Sequence, residues 1–247
     1  MSIGSSRTSG GRSPRAHSEA DTLSGPGWAS ILTGVDAAKH LVDGNDDLGD
    51  IDRAYPTLLK RALDAGLSVG MGIHWVGVLS LTESEVTRGV RLGDDPTVAQ
   101  RTAAMLRDQD RRLVFVHFDD PDHTGHASVF GAENPAYVET VSGVDENVGV
   151  LLDGILERPD VANEEWLVVV VTDHGGEGTM HGPRNPICRT IPLYFTSPAI
   201  APGMLAGSAP SHLDVHPTTL AFLGIEPRTD WGLDGVVAVR ATPLPGE

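Results

Sequence analysis

The stretch Val168 to Gly182, VVVVTDHGGEGTMHG, decides the reading of this chain. Four consecutive valines are too few for a typical helix and are β-branched throughout, so they read as a strand buried on both faces. The run ends in Asp173-His174 and two glycines, and His181 follows seven residues later. Ligands of open α/β sheets bind at the carboxyl ends of strands. A carboxylate and an imidazole at such an end suit a hard-to-borderline metal such as zinc. The plainer alternative is that Asp173 caps a turn and His174 is a hydrogen-bonding loop residue.

A second strand end repeats the pattern. Leu113 to Phe118 is a short apolar run followed by DDPDHTGH at 119–126. Asp122 and His126 are four apart across a Thr-Gly turn, a spacing that can bring both onto one metal. His123 is a competing donor, and His117, inside the strand, reads as a hydrogen-bonded core or edge residue. Two adjacent metals can clamp the attacking and leaving oxygens of an in-line displacement, and a metal-bound serine becomes a nucleophile.

Around these ends, helical patterns are read over Ile51 to Ala65, Thr97 to Arg107, Tyr137 to Leu156 and Leu213 to Leu223, with strands over Leu67 to Trp75 and Thr190 to Phe195. Strands alternating with helices predict an α/β layer fold with a mainly parallel sheet. Glycine and proline at 25 to 27 predict a sharp turn before a short helix at Trp28 to Leu32. Ser24 precedes it, as an anion-binding helix start or simply an N-cap. His212 and His216 read as surface or capping residues. The segment 76–93, with Arg88 and Arg91, reads as a solvated loop or an overhang gripping a leaving group.

Residues 1–20 are rich in Ser, Gly and Arg and read as a disordered tail without a secretory h-region, leaving one domain over 21–247. The 247 residues are 40% hydrophobic, enough for a sizeable core, and the formal charge of -16 lacks the basic footprint of a nucleic-acid or anionic-membrane binder. Cys188 is the only cysteine among ten histidines, which excludes a disulfide framework and a thiolate zinc knuckle. No run has the length of a membrane span, and with no signal peptide read in the sequence a cytoplasmic location is the expectation.

SGPGWASILTGV with His40 and Asn45, then DDPDHTGH, TDHGG, GTMHG and DVHPTTLAFLGI, in this order, resemble the alkaline phosphatase superfamily, and more closely its type I phosphodiesterase and nucleotide pyrophosphatase branch. The resemblance covers about Leu23 to Gly224. It implies a three-layer α/β sandwich and two zinc ions. It implies Ser24 as the nucleophile that takes the phosphoryl group and Asn45 as the holder of a phosphoryl oxygen. Asp122, His126 and His181 would hold one zinc, and Asp173 and His174 the other, beside Ser24. The substrate would be a small phosphodiester or nucleotide, not a nucleic-acid polymer.

One departure matters. The branch opens with an apolar strand ending in Asp-Gly, whose Asp binds the nucleophile-side zinc. Nothing before Ser24 reads as that strand, and only Glu19 and Asp21 are nearby carboxylates. The expectation is a truncated sandwich with a gap or exposed edges in its sheet, either a weak enzyme or an inactive relative with a binding role. The sulfatase alternative needs Cys or Ser, then Pro and Arg at the second and fourth positions after it. Ser24 and Pro26 fit, but Trp28 stands in the arginine's place.

Overall fold

The computed structural model describes residues 10–18, 21–87, 89–182, 184–205 and 210–240. In chain order the elements are β1 (Gly10–His17), α1 (Ser24–Thr33), α2 (Ala37–His40), α3 (Leu58–Asp64), β2 (Val69–Ile73), α4 (Gly77–Leu81), β3 (Arg91–Leu92), α5 (Asp95–Asp108), β4 (Leu113–His117), α6 (Asp120–Ala127) and α7 (Pro135–Leu156). They continue with β5 (Val168–Val171), α8 (Pro186–Arg189), β6 (Thr190–Thr196), β7 (Gly203–Met204) and α9 (Val215–Phe222). The α/β class is as expected, but the strands form two sheets. One is parallel, in the order β3-β2-β4; the other is mixed, in the order β5-β6-β1-β7.

The expected disordered tail is corrected over residues 10–17. GGRSPRAH forms β1, antiparallel to β6 and parallel to β7. Small residues carry its inner face: Ser13 and Ala16 are buried, and a Cβ at Gly11 would meet Leu205 and Val239 at 2.6 Å. The register shifts between Ser13 and Ala16, around Pro14, which has no N–H to give the ladder. A strand without large apolar residues leaves no hydrophobic alternation to detect, which is why its sequence reads as a tail.

Three local readings also change. Gly25, Pro26 and Gly27 lie in the first turn of α1, where proline removes a donor that has no intrahelical partner anyway. Residues 51–57 stay outside α3, which starts only after Thr57 caps it by accepting from Lys60 N. Residues 120–127 are helix α6, so Asp122 and His126 are one helical turn apart rather than across a loop turn.

The main core packs α1, α3 and α4 against β2, β6 and the start of α9, with Ile31, Leu32, Leu59, Met71, Ile73, Leu193 and Phe195 almost wholly buried. Between β4 and β5 the sheet is open. A cavity of about 630 Å³ lies there, lined by 113–118 and 168–171, by Val144, Val148 and Leu151 of α7, and by Trp28 and Phe222 on the other side. Each strand is an edge, paired among the described residues only on its far side, with β2 and β6 respectively. The gap expected from the sequence is therefore present. It also corrects the reading of the valine run: β5 is half-buried, with Val170 38% exposed, because no described strand pairs with its open side.

Candidate active site

The site forms where β4, β5 and the start of α1 meet. Asp122 and His126 come from α6, Asp173 and His174 from the turn after β5, and His181 from the loop beyond it. Ser24 is the first residue of α1. Glycines let these backbones close in. A Cβ at Gly27 would sit 2.8 Å from Asp173 Cβ, and one at Gly25 would sit 2.1 Å from the Gly44 carbonyl oxygen. The sequence gives no means of pairing these positions.

The three site histidines share one orientation. His181 Nδ1 donates to the Thr22 carbonyl at 2.7 Å, His126 Nδ1 to the Thr179 carbonyl at 2.9 Å, and His174 Nδ1 to the Gly175 carbonyl at 3.0 Å. A carbonyl can only accept, so in each neutral ring Nδ1 carries the proton and Nε2 presents a bare lone pair. His126 Nε2 and His181 Nε2 face each other at 2.9 Å. Two bare nitrogens at that distance repel unless a cation lies between them.

Asp122 points the same way. Its Oδ1 is 3.5 Å from His181 Nε2 and its Oδ2 is 3.6 Å from His126 Nε2, and Oδ1 is buried without a hydrogen-bond partner. An orphaned carboxylate oxygen beside bare imidazole nitrogens fits a metal ion, and backbone carbonyls behind the imidazoles fix the ring orientation that metal-bound histidines need. Thr22 and Thr179 in that supporting role escape sequence reading, because backbone carbonyls carry no residue signature. Thr22 also accepts from Gly182 N through Oγ1, tying the His181 loop to the start of α1.

Asp173 and His174 lie alongside. His174 Nε2 is 3.3 Å from Asp173 Oδ2, and its ring stacks on His181 at 4.0 Å. His174 also falls within a cluster with Asp122 and His181 whose ligand atoms lie within 4.8 Å of one another. Burial raises the Asp173 carboxyl above its ordinary pKa and lowers the His181 imidazole below its own, the latter helped by His174. A cation at this place would reverse the cost of keeping Asp173 ionised.

Ser24 Oγ is 3.5 Å from His174 Nε2. Asn45 is close by: its Oδ1 accepts from Gly25 N at 2.7 Å, which leaves its Nδ2 donors for another partner. The residues singled out in the sequence thus come together, and Ser24, Asp122, Asp173 and His174 line the open cavity. Asp21, the nearest described upstream carboxylate, turns away and pairs with Arg184. Glu19 and Arg88 lie outside the described residues. Arg91 bonds the Gly89 carbonyl.

His212 and His216 correct the surface reading. Both are fully buried; His216 Nδ1 donates to the Leu32 carbonyl at 2.8 Å, and His212 lies against the Asp173 backbone. His117 is buried as read, with Trp28 edge-on to it at 4.9 Å between ring centroids.

Known proteins share this architecture. A 2-O glycosaminoglycan sulfatase, BT1596, superposes with a TM-score of 0.70 at 15% identity, over 96% of this chain and 69% of its own. BT4656, solved with its substrate D-glucosamine-2-N,6-O-disulfate, gives 0.64 at 15% identity, over 92% and 72%. The lipoteichoic acid synthase LtaP from Listeria monocytogenes gives 0.66 at 12% identity, over 94% and 67%. The chain thus spans roughly two thirds of their length, and at such identities the likeness shows the fold alone. No curated protein sequence matches significantly. The metalloenzyme superfamily pattern matches residues 84–227, more than half of the chain and the stretch that holds Asp122, His126, Asp173, His174 and His181, and the chain belongs to that superfamily.

Proposed function

We propose that this chain hydrolyses small phosphate esters of the phosphodiester or nucleotide-pyrophosphate type, with Ser24 as the nucleophile. The observation that carries the reading is Ser24 Oγ standing 3.5 Å from the bare Nε2 of His174, in the same cavity mouth as Asp122 and Asp173. Asp122, His126 and His181 would hold one zinc, and Asp173 and His174 a second. Bound there, metal would supply positive charge for the phosphoryl oxygens and lower the proton affinity of Ser24. Ser24 Oγ would bond to phosphorus as the bond to the leaving oxygen breaks, an alkoxide in a diester or a phosphate in a pyrophosphate, and the serine proton would pass by way of solvent to that oxygen. Water then cleaves the phosphoserine, releasing the phosphoryl product and restoring the hydroxyl. Asn45 Nδ2 would donate to a phosphoryl oxygen. The net charge of -16 favours small esters over nucleic-acid polymers. No described helix is long and apolar enough to cross a membrane.

The test is turnover of bis(p-nitrophenyl) phosphate by zinc-loaded protein. Ser24→Ala is expected to lose about a thousandfold or more in kcat with the fold intact, as nucleophile deletions do. Undiminished turnover would remove Ser24 from this role.

Sulfate-ester hydrolysis is the second reading, favoured by the sulfatases among the structural neighbours. Against it, Trp28 is buried and packs edge-on to Phe115, so position 28 serves the core rather than offering an arginine to a sulfate. The mass of the Ser24 peptide separates the two: formylglycine there supports the sulfatase, and unmodified serine supports the phosphohydrolase.

A further inference from the structure

A second group of metal-ligating side chains stands beside the site, and none of its members serves the chemistry above. His74 follows β2, Asp119 is the N-cap of α6, and His123 lies one helical turn further on. Each offers one ligand atom, and the three atoms lie within 4.8 Å of one another. Asp119 and His123 precede Asp122 and His126 by three residues, which turns them by about 60° around the helix axis. The two pairs therefore lie side by side on α6, as residues three apart do.

We propose that His74, Asp119 and His123 bind a borderline divalent cation of the zinc class, at a site separate from that of Asp122, His126 and His181. The donor set is two imidazoles and one carboxylate, which leaves a fourth position for water. Zinc bonds of 2.0–2.2 Å in a tetrahedron place neighbouring donors about 3.4 Å apart. Asp119 Oδ2 and His123 Nε2 are 3.2 Å apart.

Two further features point to a ligand. First, Asp119 occupies an N-cap without making the cap hydrogen bond that an aspartate there ordinarily makes. Asp95 does that work from α5, accepting from Asp119 N at 2.8 Å and Asp120 N at 3.0 Å. The Asp119 carboxylate is thereby turned to His123 instead, although burial raises its pKa. Second, the fully buried Asp95 also accepts from His74 Nδ1 at 2.7 Å. This fixes the His74 tautomer and leaves Nε2 as its bare donor, the carboxylate–histidine arrangement found behind metal ligands. The ion-pair partners of Asp119 and Asp120 are histidines, His123 at 3.2 Å and His74 at 3.6 Å. Among the described residues no lysine or arginine is paired with these carboxylates, and a divalent ion would supply that charge.

The experiment is zinc titration of the full chain, with bound metal counted by elemental mass spectrometry and the ligand field read from cobalt(II) substitution. His123 is 63% exposed, so His123→Ala removes a ligand without touching the core. It is expected to lose one metal equivalent per chain and the corresponding cobalt absorption. His181→Ala should lose a different equivalent, and the double variant should lose both. Wild-type stoichiometry and spectrum in His123→Ala would overturn the proposal, as would a double variant that loses no more than His181→Ala alone. These counts do not depend on turnover, so the proposal stands or falls apart from the assignment of Ser24.

Discussion

Asp122 concentrates the chemistry of the site in one side chain. Its buried Oδ1 has no hydrogen bond, and His181 Nε2, 3.5 Å away, brings a lone pair rather than a proton. Leaving a buried carboxylate oxygen unsatisfied costs on the order of 1–3 kcal/mol, so the residue is badly placed for stability alone. Asp122→Asn keeps the shape, removes the charge and gives His181 a donor. The expected outcome is equal or higher thermal stability of the metal-free protein, together with loss of at least one zinc equivalent; calorimetry and metal analysis check the two halves. A metal-free protein destabilised by the substitution would contradict this account.

Helix α1 shows how an element can be sequence-encoded for function at its own expense. Its first turn holds Gly25, Pro26 and Gly27, poor residues for a helix interior but suited to close approach. Gly27 faces Asp173 with no room for a Cβ, and this contact holds Ser24 within reach of His174. Gly27→Ala must push α1 away from the turn after β5. The expected outcome is a fall in kcat of about a hundredfold, as for a misplacement of the order of 1 Å, while the melting temperature moves by only a few degrees. Steady-state kinetics beside a thermal melt would show it. A kcat equal to wild type would mean that the contact does not position Ser24.

At the scale of the whole molecule, buried histidines set the response to acid. His40 receives the Val42 N–H on Nδ1 and meets Ser30 Oγ through Nε2, and burial lowers its pKa to about 4. His216 donates from Nδ1 to Leu32, its Nε2 has no hydrogen-bond partner, and burial lowers it to about 3. In the unfolded chain both titrate near 6.5. Between that value and their folded values the unfolded state binds more protons, so stability falls as pH falls. Each group contributes a slope on the order of 1 kcal/mol per pH unit through this window. Urea unfolding of the metal-free protein at pH 7, 6 and 5 is expected to show a steady loss, reduced in His40→Gln; a flat profile would contradict it.

The sequence by itself determined the α/β class, β4 and β5, the long helix α7 and the motifs that end in Asp122, His126, Asp173, His174 and His181. These are local signals: apolar runs of strand length, helical periodicity, and ligand residues a turn apart. Ser24 and Asn45 were reached only through resemblance, since a serine before a helix is ordinarily a cap. Tertiary structure alone decided the rest. It made a strand of the small residues 10–17, because their partners in β6 lie 173 to 186 residues away in sequence. It buried His212 and His216 and turned Asp21 toward Arg184. It set Asp95 to cap α6, freeing Asp119 for His74 and His123, and it left β4 and β5 apart. Each of these outcomes depends on which distant backbone supplies a hydrogen bond or fills a space, and no local pattern of residues encodes that choice.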